Sequence, residues 1–326
     1  MDLIIKPTES CNFKCTFCSS SDITEVDSRA KLPLTDIANF LDEHPNTQTI
    51  IINGGDPLMM PPAYYWGILG LVAERGMDTN LSFTTNLWAF YVAPHKWYSL
   101  FQHPRVNVTT SFQFGTGRLK GDGTPYSVQD FWDVSNQFVD YFGYRPDFIA
   151  VVATKEDREL AIESAKLAKK MQVECKINYA MASGRQSKPL LLAHIYRIYL
   201  QIWREGLAQW EYNTKDIAQV LKGQNTTCPR NRKCQDGIRC LQPEGDQYTC
   251  GAFGDDKEYP VGKSFWVEPE NLSMRNECFT CPLFDLCNGC AKTINDHKRH
   301  DMTGTHCFEM KQMESQLMEL RDDLCV

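Results

Sequence analysis

The sequence predicts a parallel α/β domain followed by a shorter domain stapled by metal. Three observations predict it. Residues 1–205 alternate strand-like and helix-like segments six times, which implies a parallel sheet with right-handed crossovers. Regular patterning fades after about residue 210. From Cys228 to Cys307 the chain then carries nine cysteines in polar, glycine-containing loops. A segment that poor in regular structure needs staples, and in a reducing compartment metal is the staple to expect. The divisions read from this pattern are 1–210 for the α/β domain, 211–227 for a linker and 228–326 for the cysteine-rich domain.

The strand segments are 3–6, 49–53, 80–85, 106–112, 147–153 and 174–181, short and rich in Val, Ile, Phe and Thr. Helices are expected between them at 34–43, 63–75, 94–100, 128–142 and 156–170, with a sixth at 193–209. Thr154 is the expected N-cap of the fifth helix, and Gly76 the stop of the second. A wound sheet and a barrel both fit six such units. The stretch 223–227 reads as a loop. The tail, 307–324, reads as one closing helix, with Phe308, Met313, Leu317 and Leu320 near helical spacing. There is no internal repeat and no low-complexity segment.

The chain has 326 residues, enough for a buried core in two domains. Its net charge of −7, without a basic stripe, argues against a nucleic-acid partner. Arg230, Arg232 and Lys233 lie among cysteines and read as a solvated loop or a local counter-charge. The N-terminus is apolar for only three residues before Lys6 and Pro7, which is no secretory signal. No apolar run has membrane-spanning length. A cytoplasmic protein without a membrane partner is therefore expected, and its 14 cysteines point to metal rather than disulfides. Cys175, inside a strand segment, reads as an ordinary buried thiol.

Cys11, Cys15 and Cys18 form C-x3-C-x2-C directly after the first strand. Three thiolates hold three corners of a four-iron cluster and leave one iron open. Structural zinc wants four protein ligands, and neither His nor a fourth Cys lies nearby. The segment Cys11-Asn12-Phe13-Lys14-Cys15-Thr16-Phe17-Cys18 resembles the signature of the radical S-adenosylmethionine superfamily, Phe17 included. The resemblance implies a partial (β/α)6 TIM-like barrel. It also implies an open iron that binds S-adenosylmethionine and a 5′-deoxyadenosyl radical that abstracts hydrogen from a substrate. Ligands gather at the C-terminal ends of barrel strands, where loops are free to vary.

The resemblance extends to other strand ends. Gly54-Gly55-Asp56-Pro57 stands where the family has Gly-Gly-Glu-Pro, so Gly54, Gly55 and Asp56 are expected at the cofactor. The glycines would let the backbone approach the ligand. Asp56, one methylene shorter than Glu, would reach the cofactor ammonium less directly. Thr84-Thr85-Asn86 ends the third strand, where the family often has Thr-Asn-Gly; Ser111 and Gln113 end the fourth, with Gln113 where the family commonly has Asp. Arg118 and Arg185 match loosely placed arginines of relatives, and Arg118 is taken as a cofactor contact.

The C-terminal spacings, with Gly245 between Cys234 and Cys250 and C-x2-C-x5-C-x2-C from Cys278 to Cys290, resemble the SPASM domain of that superfamily. The last short spacing is one residue shorter than usual. With Cys228 added, the pattern resembles the anaerobic sulfatase-maturing enzymes. By position, one auxiliary four-iron cluster would use Cys228, Cys234, Cys250 and Cys290, and a second Cys278, Cys281, Cys287 and Cys307, giving three clusters in all. Cys240, Cys175 and Cys325 are left over. Zinc ribbons are the rival for the C-terminal set.

The resemblance implies a peptide or protein substrate, modified in the manner of peptide maturases or sulfatase maturases, and an electron donor such as flavodoxin or ferredoxin. Two alternatives are a radical dehydrogenase or epimerase acting on an aminocyclitol or sugar, and a zinc-stapled interaction protein without catalysis. The sulfatase-maturing relatives place a catalytic Asp after the third ligand of the first auxiliary cluster. Here Gly251 follows Cys250, and Asp255 and Asp256 are the substitutes, otherwise an acidic surface turn. The motif starts at residue 11, so no N-terminal peptide-recognition domain is expected; a leader peptide would bind the barrel mouth or a separate partner.

Overall fold

A computed structural model of the chain describes residues 1–20, 31–224, 237–261, 278, 280–288 and 290–324. The expectations at Cys228, Cys234, Cys325, the 225–227 loop and the basic cluster fall outside these residues.

The elements run β1 (Asp2–Ile5), α1 (Leu34–Glu43), β2 (Thr49–Ile52), α2 (Pro62–Glu74), β3 (Asn80–Thr84), α3 (Trp88–Val92), α4 (Tyr98–Phe101), β4 (Val106–Ser111), α5 (Val128–Phe142), β5 (Phe148–Val152), α6 (Arg158–Met171), β6 (Cys175–Tyr179), α7 (Leu192–Arg204) and α8 (Tyr212–Leu221). The second part adds β7 (Ile238–Leu241), β8 (Gln247–Tyr248), α9 (Gly251–Asp256), α10 (Phe284–Asn288), α11 (Ala291–Arg299), α12 (Thr303–Lys311) and α13 (Glu314–Asp323).

The strands form one eight-stranded sheet in the order β6-β5-β4-β3-β2-β1-β7-β8. All neighbours are parallel except the β7–β8 hairpin. The sheet is open, as in a partial barrel, and does not close on itself. One face of each of the first four strands is apolar: Leu3, Ile5, Ile50, Ile52, Leu81, Phe83, Val106 and Val108 belong to the main core with the helices. The alternate residues, among them Ile51, Ser82, Thr84, Thr109 and Ser111, are only half-buried. Period-two alternation thus separates a core face from a more polar face.

Local signals explain several helix limits. Ser127 and Asp130 form a capping box at the start of α5, and Gly143 ends that helix with φ 75°. Asp157 accepts the Thr154 N–H at 2.9 Å before α6. Gly76 turns the chain after α2 with φ 62°.

Four expectations need correction. The helix expected at 94–100 is two short pieces, a 3-10 turn Pro94–Lys96 and α4, and the unexpected helix α3 precedes them, ending before Pro94, which has no N–H to continue its ladder. Residues 211–227 are not an open linker at their start. Helix α8 lies there, capped by the fully buried Glu211, which accepts from the N–H groups of Asn213 and Thr214. The other role of Glu211 is to accept the Ile177 N–H at 2.8 Å on the outer edge of β6, which covers that edge. The cysteine-rich part, expected to be rich in loops with no strand assigned, supplies one, since β7 pairs in parallel with β1, from Asp2↔Ile238 to Ile5↔Leu241. The closing helix is two helices, α12 and α13, broken around Gln312 and Met313.

Candidate functional site

The loop carrying Cys11, Cys15 and Cys18 leaves the C-terminal end of β1, and two other loops run beside it. The segment after β4 lies antiparallel to it. Lys14 and Thr16 donate their N–H groups to the carbonyls of Leu119 and Gly117, both at 2.8 Å, and Phe13 bridges Lys120. The loop after β6 lies on its other part. Arg185 donates its N–H to the Cys18 carbonyl at 2.9 Å, and its guanidinium to the carbonyls of Lys14 and Cys15 at 2.9 and 3.1 Å. The three thiols are half-buried and free. Burial pushes the Cys18 thiol up to about 11, and Asp255 and Cys15 add to it. Burial also raises Cys11, with Asp56, Cys15 and Cys18 contributing.

The glycines of Gly54-Gly55-Asp56 have a more specific reason than ligand approach. A Cβ on Gly55 would lie 2.1 Å from the Ser10 carbonyl oxygen, and one on Gly54 2.5 Å from that of Thr8. Only glycine lets the loop after β2 lie on the segment that leads into Cys11. Gly54 also has φ 120°. Asp56 turns inward and is 2% exposed. Its carboxylate accepts from Leu58 N (2.9 Å), Asn86 N (2.8 Å) and the Thr85 hydroxyl (3.0 Å). Burial raises it to about 6, although those bonds and the Arg118 charge favour the ion. Asp56 therefore ties the loop after β2 to the loop after β3. Asn86 continues the tie, donating from Nδ2 to Asn12 Oδ1 at 2.7 Å, inside the cysteine loop. Thr84 is the last residue of β3 and half-buried.

Ser111, Gln113, Arg118 and Phe17 come together. The Arg118 guanidinium donates to Gln113 Oε1 at 2.7 and 3.0 Å and to Ser111 Oγ at 3.1 Å, and lies 5.5 Å from the Phe17 ring centroid. It is 7% exposed. These hydrogen-bond acceptors are neutral, so the cation keeps an appetite for an anion beside the cysteine loop. Gln113 is thus the acceptor that holds Arg118.

The residues fit a cluster with a small polar cofactor. Asn53 Oδ1, just before Gly54, and Ser183 Oγ, just before Gly184, are buried side-chain atoms without a hydrogen-bond partner. Both adjoin loops that pack on the cysteine segment. Among the described residues, no group of three or more His, Cys, Asp or Glu is arranged for a single metal ion.

In the C-terminal field, Cys287 lies within electrostatic reach of Cys281, Cys307 and Cys278, and burial raises its thiol to about 12. Cys250 and Ala291, the neighbour of Cys290, pack on one small core of Ile4, Cys240, Tyr248 and Phe253. Among the described residues, thiols thus gather around Cys287, while Cys250 shares a small core with the start of α11. Cys240, in β7, is fully buried, and burial pushes its thiol up to about 12. Buried Cys175 is likewise raised by burial. Both are core thiols.

No family model and no curated protein matches the sequence. Solved structures do match. An anaerobic sulfatase-maturing enzyme with bound AdoMet, anSMEcpe, superposes with TM-score 0.70 at 16% identity, covering 98% of this chain and 99% of that one. The same enzyme with AdoMet and the Cp18Cys peptide gives TM-score 0.70 at 14% identity, with 99% of each chain covered. Streptococcus suis SuiB bound to its precursor peptide SuiA gives 0.56 at 17% identity, with 89% of this chain and 71% of that one. The chain has the fold of the SPASM-type radical S-adenosylmethionine enzymes.

Within that radical-enzyme fold, Asp255 and Asp256 are not a surface turn. Asp255 pairs with Lys6 and accepts the Ser19 hydroxyl at 2.5 Å. Asp256 pairs with Lys292 at 2.8 Å. Lys6 is a residue that sequence reasoning passed over, as the charge that merely ends an apolar start. It is 3% exposed at the end of β1. Burial opposes its charge, but Asp255 and Glu9 outweigh burial and raise it. A lysine closing an apolar strand was the available signal. Gly117 was missed as well: its Cβ would meet the Thr16 hydroxyl at 2.9 Å and the Phe17 ring at 3.1 Å.

Proposed function

We propose that this chain is a radical S-adenosylmethionine enzyme that abstracts hydrogen from a peptide or protein substrate, as a maturase. One observation carries the reading: three half-buried thiols on the loop after β1 share their surroundings with a buried arginine that has neutral hydrogen-bond acceptors. A four-iron cluster held there by Cys11, Cys15 and Cys18 would, with S-adenosylmethionine bound, supply radical hydrogen-abstraction chemistry.

The chain's own part is to hold and orient. Cys11, Cys15 and Cys18 are the cluster ligands. Arg118, kept in place by Gln113 and Ser111, takes the cofactor carboxylate, and Phe17 covers one side. Thr84, Asn86 and the Gly54-Gly55 backbone border the same space. Asp56 sets the loops rather than reaching for the ammonium. Cys278, Cys281, Cys287 and Cys307 form one auxiliary site, and Cys250 and Cys290, with Cys228 and Cys234, the other. Fully ligated auxiliary clusters suit electron transfer, with a flavodoxin or ferredoxin as donor. The peptide substrate is supported by the peptide complexes of the two structural neighbours.

The test is oxygen-free protein supplied with dithionite and S-adenosylmethionine, read by mass spectrometry for 5′-deoxyadenosine. The expected outcome is cofactor cleavage by the natural chain and none by Cys15→Ala, which keeps most of its C-terminal iron. No deoxyadenosine from the iron-loaded natural protein refutes the reading. Peptides encoded beside the gene then test the substrate class: a mass change supports it, whereas turnover of a cyclitol or sugar alone replaces it.

A further inference from the structure

Cys18 is followed by two serines, and each hydroxyl donates to a different carboxylate. Ser19 donates to Asp255 at 2.5 Å and Ser20 to Glu9 at 2.6 Å. Lys6 lies between those acids, paired with Asp255 and within the field of Glu9. Lys6 and Glu9 are 3% and 5% exposed, so water screens this group of charges weakly. Of these residues, only Asp255 comes from far away in the chain. Lys6 and Glu9 flank the exit of β1, the serines belong to the cysteine loop, and Asp255 is in α9, five positions after Cys250.

The geometry points to Asp255 as a positioning residue for the Cys18 end of the cysteine loop, through which the C-terminal cysteine field sets the charge felt at the first cluster. This rests on the function proposed above. The carboxylate fixes Ser19, and hence the direction in which Cys18 leaves the loop. It also places a negative charge beside a site whose task is to accept an electron. Lys6, Glu9 and Asp255 together carry one net negative charge. Outer-shell groups of this kind tune a metal centre without touching it.

The neighbour Asp256 supplies the control. It is next in sequence and also ion-paired, but its partner is Lys292 on α11. Of these two adjacent aspartates, a charge effect that depends on the hydrogen bond to Ser19 belongs to Asp255.

The experiment uses the full chain, reconstituted with iron and sulfide without oxygen. The part of the electron paramagnetic resonance spectrum that changes on adding S-adenosylmethionine reports the first cluster, and redox titration of that signal gives its potential. Asp255→Asn keeps the shape and removes the charge, so it shifts the potential upward and alters the signal. Asp256→Asn leaves both as in the natural protein. Equal shifts in the two variants, or none in Asp255→Asn, overturn the proposal. Should Asp255→Asn fail to fold, Ser19→Ala decides: it removes one hydroxyl and no charge, and an unchanged first-cluster spectrum overturns the proposal. A natural protein with no signal responsive to S-adenosylmethionine refutes the underlying reading instead.

Discussion

At the scale of single residues, the site is built from polar groups whose partners were not visible in sequence. Asp56 shows this best. Its place in Gly-Gly-Asp-Pro was legible, and a cofactor contact followed from the resemblance. The structure turns the carboxylate onto Leu58, Thr85 and Asn86. Burial raises its pKa from 3.8 to about 6. A raised carboxylate favours the fold most below its unfolded value, and that contribution falls as pH rises through about 6. Between pH 5 and 7.5 the natural protein is therefore expected to lose roughly 1 kcal/mol relative to Asp56→Asn. The variant itself starts lower, by roughly 1–3 kcal/mol, because an amide NH2 then faces buried donors. Urea midpoints of both proteins across that pH range check the difference in slope; parallel curves remove Asp56 as the cause.

At the scale of elements, the cysteine loop owes its form to the two loops that flank it and the one beneath it. Backbone hydrogen bonds come from the segment after β4 and the loop after β6, and close packing from the loop after β2. Six strands and most long helices were legible because alternation and capping are local. The strand β7 was not. Ile238–Leu241 carries Arg239 and Cys240 in the midst of the cysteine-rich stretch, and it becomes a strand by pairing with β1. Gly55 tests the packing of the loops. Gly55→Ala places a methyl 2.1 Å from backbone oxygen, which no side-chain rotation relieves. It is expected to cost about 3 kcal/mol or more and to lower iron at the first site. Thermal unfolding and iron content measure both, and a variant matching the natural protein in each shows that the loops part without cost.

At the scale of the whole molecule, the cysteine-rich part is joined to the barrel by more than β7. Lys292, 1% exposed on α11, pairs with Asp256 and Asp296 and donates to the Ala182 carbonyl at 3.1 Å, in the loop after β6. Lys292→Met leaves buried Asp296 and half-buried Asp256 without their cation, at an expected cost of about 3–5 kcal/mol. Denaturant unfolding of iron-loaded protein measures it; a change below about 1 kcal/mol, the usual worth of an exposed pair, contradicts the assignment.

The sequence by itself determined the α/β pattern, the clustering of thiols and the strand ends that carry the candidate site, because strand period, helix caps and short cysteine spacings are written over a few neighbouring residues. Only the tertiary structure decided that the sheet stays open with β7 on its edge, that Asp56 faces inward, and that Lys6 meets Asp255. Those contacts join residues separated by up to about 250 positions. Charges and backbone groups taken out of water at these places must find partners to offset the cost, and no local stretch of chain supplies them alone.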